Sequence, residues 1–382
     1  MTVFLKQSYF KIGKKRQLPL CAIFLLISFA LHAEARSEKP SGKTLGFTLT
    51  WFGIANYEGE DDCPNGLAEF PDKDAFIESS TGELRQLLID PKNEGMIYYA
   101  MASRGPGGIN VCDHPETVSE PPLVTVTGNT AYGLNLTGTN KGDASAPNTC
   151  SHQKFASGLN GEDYVDNQYY RLTGCQFGLR SDGPGGYITK FRSGLMLDGS
   201  YTILIDISDV DDFFNDDDVT IGIYQGKDPV VRAASGVDVL SDASLRIDDD
   251  AQYHNIMKGK IENGVVLTTE RKDVYLIEKA GEAALAAPHL HFRDARLRMT
   301  IDKDGNFEGV LAGYHDWLPL YRSISKAVSF GEISTGFTCP AVYQAYKKLA
   351  DGYPDPETGE CTAMSIAYLI RGIPAYVIHP KH

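Results

Sequence analysis

Alternation of apolar and polar residues with a period of two dominates the middle of the chain. In the segment 200–208, Tyr201, Ile203, Ile205 and Ile207 share one face, and in 219–225 Val219, Ile221 and Ile223 do the same. Each reads as a strand with one buried side. The run 257–269 is two short strands around Asn263-Gly264, a dipeptide that supplies the paired positive φ angles of a type I′ hairpin turn. A second hairpin follows. Leu297, Met299 and Ile301 alternate with Arg296, Arg298 and Thr300, and Asp304-Gly305 makes the turn. Leu45–Ile54 and 96–103 are further strand candidates, and 373–380 reads as a final strand.

Helical spacing is confined to a few places. Leu84, Leu87 and Leu88 line one side of 72–90. Near the C-terminus, 338–352 has Thr338 to cap it, Val342, Ala345, Tyr346 and Leu349 on one face, and Gly352 to stop it. The run 361–372 repeats that design with Thr362 and Gly372. Strands with tight turns and one apolar face each predict an antiparallel β-sandwich, jelly-roll or concanavalin-like, with a small disulfide-closed α-helical appendage at the C-terminus. The expected division is a signal peptide over 1–35, a strand-and-loop region over 36–185, the sandwich core over 186–316, and a helical hairpin with a final strand over 317–382.

The signal-peptide reading rests on Lys6, Lys11, Lys14, Lys15 and Arg16, the apolar run 18–31, and small residues at Ala33 and Ala35. That run is short for a membrane span of roughly 20 residues, so the expectation is a chain exported to the periplasm or the extracellular space with no span after cleavage. A formal net charge of −14 repels phosphate and anionic lipid, and no basic patch interleaves with aromatics, which excludes nucleic acid as a partner. Outside the leader stand Cys63, Cys112, Cys150, Cys175, Cys339 and Cys361. An even set in an exported chain predicts disulfides, and pairing in order along the chain is expected because each successive pair brackets one segment.

The densest chemistry lies between two alternating strands, where seven aspartates fall within Asp206–Asp218. The spacing is not that of an EF-hand. Burial of Phe213 and Phe214 would fold the loop and bring Asp209, Asp211, Asp212, Asp216 and Asp218 together as a calcium site; a solvated acidic turn is the alternative. His289 and His291 share one side of a strand, with His254 or His315 as the third ligand a metal would need. Tyr169, Tyr170, Arg171 and Trp317 sit in segments that mix rings with Asp, Asn and Arg, as sugar-binding surfaces do. No His-Glu-x-x-His, Gly-x-Ser-x-Gly or Glu-x-Asp-x-Glu pattern is present, which leans away from an enzyme. The sequence therefore points to a non-catalytic binding protein for glycans or another envelope component. A hydrolase acting on polysaccharide or ester substrates and an assembly partner of an envelope complex are the alternatives.

Overall fold

A computed structural model describes residues 42–68, 73–138, 148–159, 162–176, 179–180, 187–236, 238–279, 289–327 and 338–380. Residues 1–35, expected to be a signal peptide, lie outside the described residues, and the export reading drawn from them finds no support there. Among the described residues no helix is long and apolar enough to cross a membrane.

The strands are β1 (Lys43–Ile54), β2 (Thr130–Ala131), β3 (Phe155–Ser157), β4 (Tyr164–Val165), β5 (Ile203–Val210), β6 (Asn215–Gln225), β7 (Ala243–Arg246), β8 (His254–Glu262), β9 (Val265–Thr268), β10 (Lys272–Ile277), β11 (His289–Ile301), β12 (Phe307–Asp316), β13 (Gly352–Pro354) and β14 (Cys361–Ile378). The helices used below are α1 (Lys73–Ser79), α2 (Gly82–Ile89), α3 (Met96–Ala102), α4 (Gln168–Thr173), α5 (Tyr187–Leu197), α6 (Trp317–Ala327) and α7 (Cys339–Leu349).

Strands β1, β5, β6, β8, β9, β11, β12 and β14 pair antiparallel in chain order, and β14 returns to pair with β1 from Phe47↔Pro374 to Ile54↔Tyr368. The molecule is thus a closed, eight-stranded up-and-down β-barrel, not the expected sandwich. The two architectures write the same alternation into each strand, one face in and one face out. What separates them is the pairing of first strand with last, which no local pattern records. Strands β7, β10 and β13 attach at the periphery, and β2, β3 and β4 form a small mixed sheet. The Asn263-Gly264 turn is as expected, with φ of 52° and 77°.

An eight-stranded barrel is just wide enough for side chains to fill. Phe47, Ile205, Ile221, Met257, Leu297 and Ile366 are among those that do so here. Among the described residues, charged and polar side chains intrude. Arg192 of α5 lies over the rings of Phe52 and Tyr368, with centroid distances of 5.2 and 5.5 Å, and pairs with Glu278 at 2.8 Å. His315 of β12 is buried edge-on to Phe292, and its Nε2 has no hydrogen-bond partner. Burial, helped by the charges of His291 and Arg192, pushes its imidazole down to about 3. The unfolded chain takes up that proton near pH 6.5 while the folded chain does not. Stability is therefore expected to fall as pH drops below about 6.5, by up to about 1.4 kcal/mol per pH unit. In urea titrations at pH 7 and pH 5, His315→Gln should lose about 2 kcal/mol less across the interval than the parent.

Three local expectations are corrected. Residues 361–372 are strand, not helix: β14 is 18 residues long. Met364, Ile366, Tyr368 and Ile370 face the barrel core, while Ala363 and Ala367 pack with Leu134 and Leu136 on the outer wall. A strand buried on both faces shows no alternation, and the small outward residues needed for close packing mimic a helix. Met96–Ala102 is helix, not strand. The disulfides are Cys63–Cys175, Cys112–Cys339 and Cys150–Cys361, not consecutive pairs. Cys339 therefore ties α7 to a distant loop and does not close a C-terminal hairpin; α6 and α7 pack through Trp317, Tyr321, Tyr343 and Tyr346.

Candidate functional site

The outer wall of β12 and β14 is covered by the segment that carries β2, β3 and β4. Where that cover meets the wall, His152, Asp166 and Asp351 bring one ligand atom each within 4.8 Å of one another. The three arrive by different routes. Cys150 bonds Cys361 at the start of β14, and its amide donates to the Asp351 carbonyl at 2.9 Å, which delivers His152 two residues on. Asp166 follows β4; its amide donates to the Leu134 carbonyl, and Asn167 beside it caps α4 by accepting from the Tyr170 amide at 3.0 Å. Asp351 follows α7, and its amide donates to the Ala363 carbonyl of β14. Gly352 comes next because the Tyr314 ring occupies the space a side chain would need: a Cβ there would lie 2.5 Å from the ring.

Each carboxylate is held. Asp166 Oδ2 accepts from the Leu136 amide at 2.8 Å and from Lys154 Nζ at 3.1 Å. Lys154 also donates to Asn135 Oδ1 and Thr137 Oγ1. Asp351 accepts from the Ser365 amide at 2.6 Å and from its hydroxyl at 2.7 Å. Both aspartate side chains are fully buried, and His152 is 6 % exposed.

His152 decides what the group can do. Its Nδ1 lies 2.8 Å from the Cys150 carbonyl, which can only accept, so Nδ1 carries a proton and donates it. Nε2 then faces Asp166 Oδ1 at 2.8 Å and Asp351 Oδ2 at 3.6 Å. A bare nitrogen lone pair against two carboxylates would be repulsive, so a positive bridge belongs there: a second proton on the ring, or a cation. Burial depresses the imidazole, but the hydrogen bond to Asp166 and the charge of Asp351 outweigh it and hold it above its ordinary value. Burial raises Asp166, yet the bond from His152 and the charge of Lys154 leave it below the usual carboxylate range. Burial pushes Asp351 up to about 6, against the charge of His152 and the Ser365 hydrogen bonds. Lys154 is lowered by burial, which the charge of Asp166 only partly offsets. Nearby, the buried Tyr314 hydroxyl has no hydrogen-bond partner and is raised by burial and by the charges of Asp351 and Asp166.

A polar cleft of about 280 Å³ adjoins the centre through Asn135 and is lined also by Glu162, Thr269, Arg271 and Arg296. A larger depression of about 710 Å³ runs along α2, and none of the residues lining it belongs to the centre.

The expected sites are placed otherwise. Phe213 and Phe214 are 46 % and 59 % exposed and do not fold the acidic loop inward. Asp216 accepts from the Asp211 and Asp212 amides, Asp212 from the Phe214 amide, Asp209 from Thr220, and Asp218 pairs with Lys258. Four of the five carboxylates, those of Asp209, Asp212, Asp216 and Asp218, serve the turn, a threonine and a lysine, Asp211 joins through its amide, and calcium finds no support there. Tyr169, Tyr170 and Trp317 are buried in the core, and Arg171 donates to the Val126 carbonyl over the Phe155 ring, so they form no ligand surface. His289, His291 and His254 pair separately, with Tyr253, Asp273 and the Asp248 carbonyl, and His315 is in the barrel.

Sequence reasoning missed His152, Asp166 and Asp351 because they come from three connecting segments with no shared spacing. The one available signal was Cys150 beside His152, but it needed the Cys150–Cys361 pairing to be useful. Comparison with known proteins finds no matching family model, no similar curated protein and no similar solved structure. Fold and site together define a β-barrel protein with a buried His/Asp/Asp centre. That centre overturns the expectation of a purely non-catalytic binder and favours the hydrolase alternative.

Proposed function

We propose that the protein is a metal-dependent hydrolase, with His152, Asp166 and Asp351 as ligands to one divalent cation. The observation that carries this is the His152 ring: Nδ1 is committed to a backbone carbonyl and Nε2 is turned to two buried carboxylates. Metal-binding histidines are oriented in this way. One nitrogen and two oxygens suit zinc or manganese; calcium sites are built of oxygen. Tetrahedral ligation at about 2.1 Å sets donor atoms about 3.4 Å apart. The 3.6 Å pair already meets that, and the 2.8 Å pair opens by about 0.6 Å. Three protein ligands leave a position for water, whose pKa a bound cation lowers toward neutrality. Hydrolysis then adds that water across an ester bond, its oxygen to the acyl or phosphoryl centre and its proton to the leaving alcohol. Three disulfides fit a compartment that sustains them.

A second reading is favoured by the 2.8 Å distance itself, which is that of a charge-assisted hydrogen bond. In it an imidazolium bridges the two aspartates and clamps the cover to the wall. Assays of chelator-treated protein on carboxylic, phosphate and sulfate esters, before and after zinc or manganese is restored, separate the two. The metal reading expects turnover that the chelator removes and one of the ions restores. Indifference to both treatments would leave the clamp.

A further inference from the structure

The cleft beside the centre has an unusual charge balance for a chain of net charge −14. Glu270 is committed, accepting from the Lys258 amide at 2.6 Å and pairing with Lys272 at 3.2 Å. Glu162 lies 3.5 Å from Arg296 and accepts from the Asn135 amide at 3.4 Å. Arg296 is further fixed by donating to the Asn135 carbonyl at 2.7 Å. Arg271 has no carboxylate partner among the described residues. Its guanidinium stands against Gly138, whose φ is 75°; a Cβ there would lie 2.8 Å from Nη2. Any side chain at that position would crowd Arg271 as well as strain the backbone. Arg271 and Arg296 line the cleft together, and Lys154 meets the same Asn135 from the centre. Asn135 is the shared wall: its side-chain oxygen takes Lys154 from the centre, and its carbonyl takes Arg296 from the cleft.

A guanidinium left unpaired in a polar recess, with hydroxyl and amide donors around it, is built to take an oxyanion through its fork of N–H groups. We propose that this cleft is an anion subsite, with Arg271 as the recognition residue, and that the ester cleaved at the adjoining centre carries a phosphate, sulfate or carboxylate group. The subsite rests on the metal reading for its role in substrate choice, though not for anion binding itself. Lysine in place of Arg271 keeps the charge and loses the fork.

Isothermal titration of the full chain with inorganic phosphate, sulfate and acetate tests this, with bound metal measured on the same samples. One anion should bind per chain, weakened about 10- to 100-fold by Arg271→Ala and less by Arg271→Lys. Because Arg271 is exposed and no hydrogen bond or ion pair among the described residues joins it to the three ligands, the metal content should be unchanged in both variants. Equal anion binding by Arg271→Ala and the parent overturns the subsite, as does the absence of binding by the parent. Anion binding that depends on Arg271 in protein that takes up no metal keeps the subsite and removes the metal reading. Metal uptake with anion binding indifferent to Arg271 does the reverse.

Discussion

Replacing Asp166 with asparagine is expected to lower folding stability by about 3–5 kcal/mol and to abolish cation uptake. The carboxylate is fully buried and faces two groups that carry or can carry positive charge, His152 at 2.8 Å and Lys154 at 3.1 Å. Asparagine keeps the shape and an acceptor for the Leu136 amide but removes the charge that balances a buried ammonium. Breaking one partner of such a network costs more than deleting the whole, because the remaining charge has neither water nor counter-ion. Adding Lys154→Met to Asp166→Asn should therefore recover part of the loss. Urea denaturation of the parent and both variants checks it. A loss below about 1 kcal/mol would mean that Lys154 swings out to water and that the centre is less rigid than its hydrogen bonds imply.

Comparable in size is the effect of Glu278→Gln. Arg192 is 3 % exposed within the barrel, and its Nε and Nη1 have no hydrogen-bond partner. Its 2.8 Å contact with Glu278 is the charge pairing that makes burial tolerable. Glutamine should cost about 3–5 kcal/mol, whereas the double replacement Arg192→Met with Glu278→Leu should be neutral or stabilising by about 1–4 kcal/mol. A double-mutant cycle in urea measures both. Equal losses in the single and double variants would show that the aliphatic packing of Arg192 over Phe52 and Tyr368 matters more than its charge.

What could be read in advance follows from how local each feature is. The strands around Ile205, Ile221 and Leu297, and the turn at Asn263-Gly264, are written in neighbouring residues, and the structure keeps them. Barrel closure is a relation between Phe52 and Ile370, at opposite ends of the chain, and leaves no mark on either. Strand β14 is illegible for a related reason: the cover buries its outer face, so Ala363 and Ala367 stand where polar residues would signal a strand. The acidic run Asp206–Asp218 is conspicuous in a sequence for its charge density, yet Asp206 is buried against Tyr224 and His379, Asp212 and Asp216 cap amides in an exposed turn, and Asp209 and Asp218 take a threonine hydroxyl and a lysine. The centre uses three ordinary residues, and only the partner of Cys150 and the path of the cover bring them together.

The proposed cation would bridge His152, Asp166 and Asp351. Elemental analysis after equilibrium dialysis against zinc or manganese tests it most directly, using the parent and His152→Ala. One tightly held ion per chain in the parent, and none in the variant, is the predicted result. A parent that holds no ion, with nitrogen-15 spectra showing His152 protonated on both ring nitrogens, would contradict it.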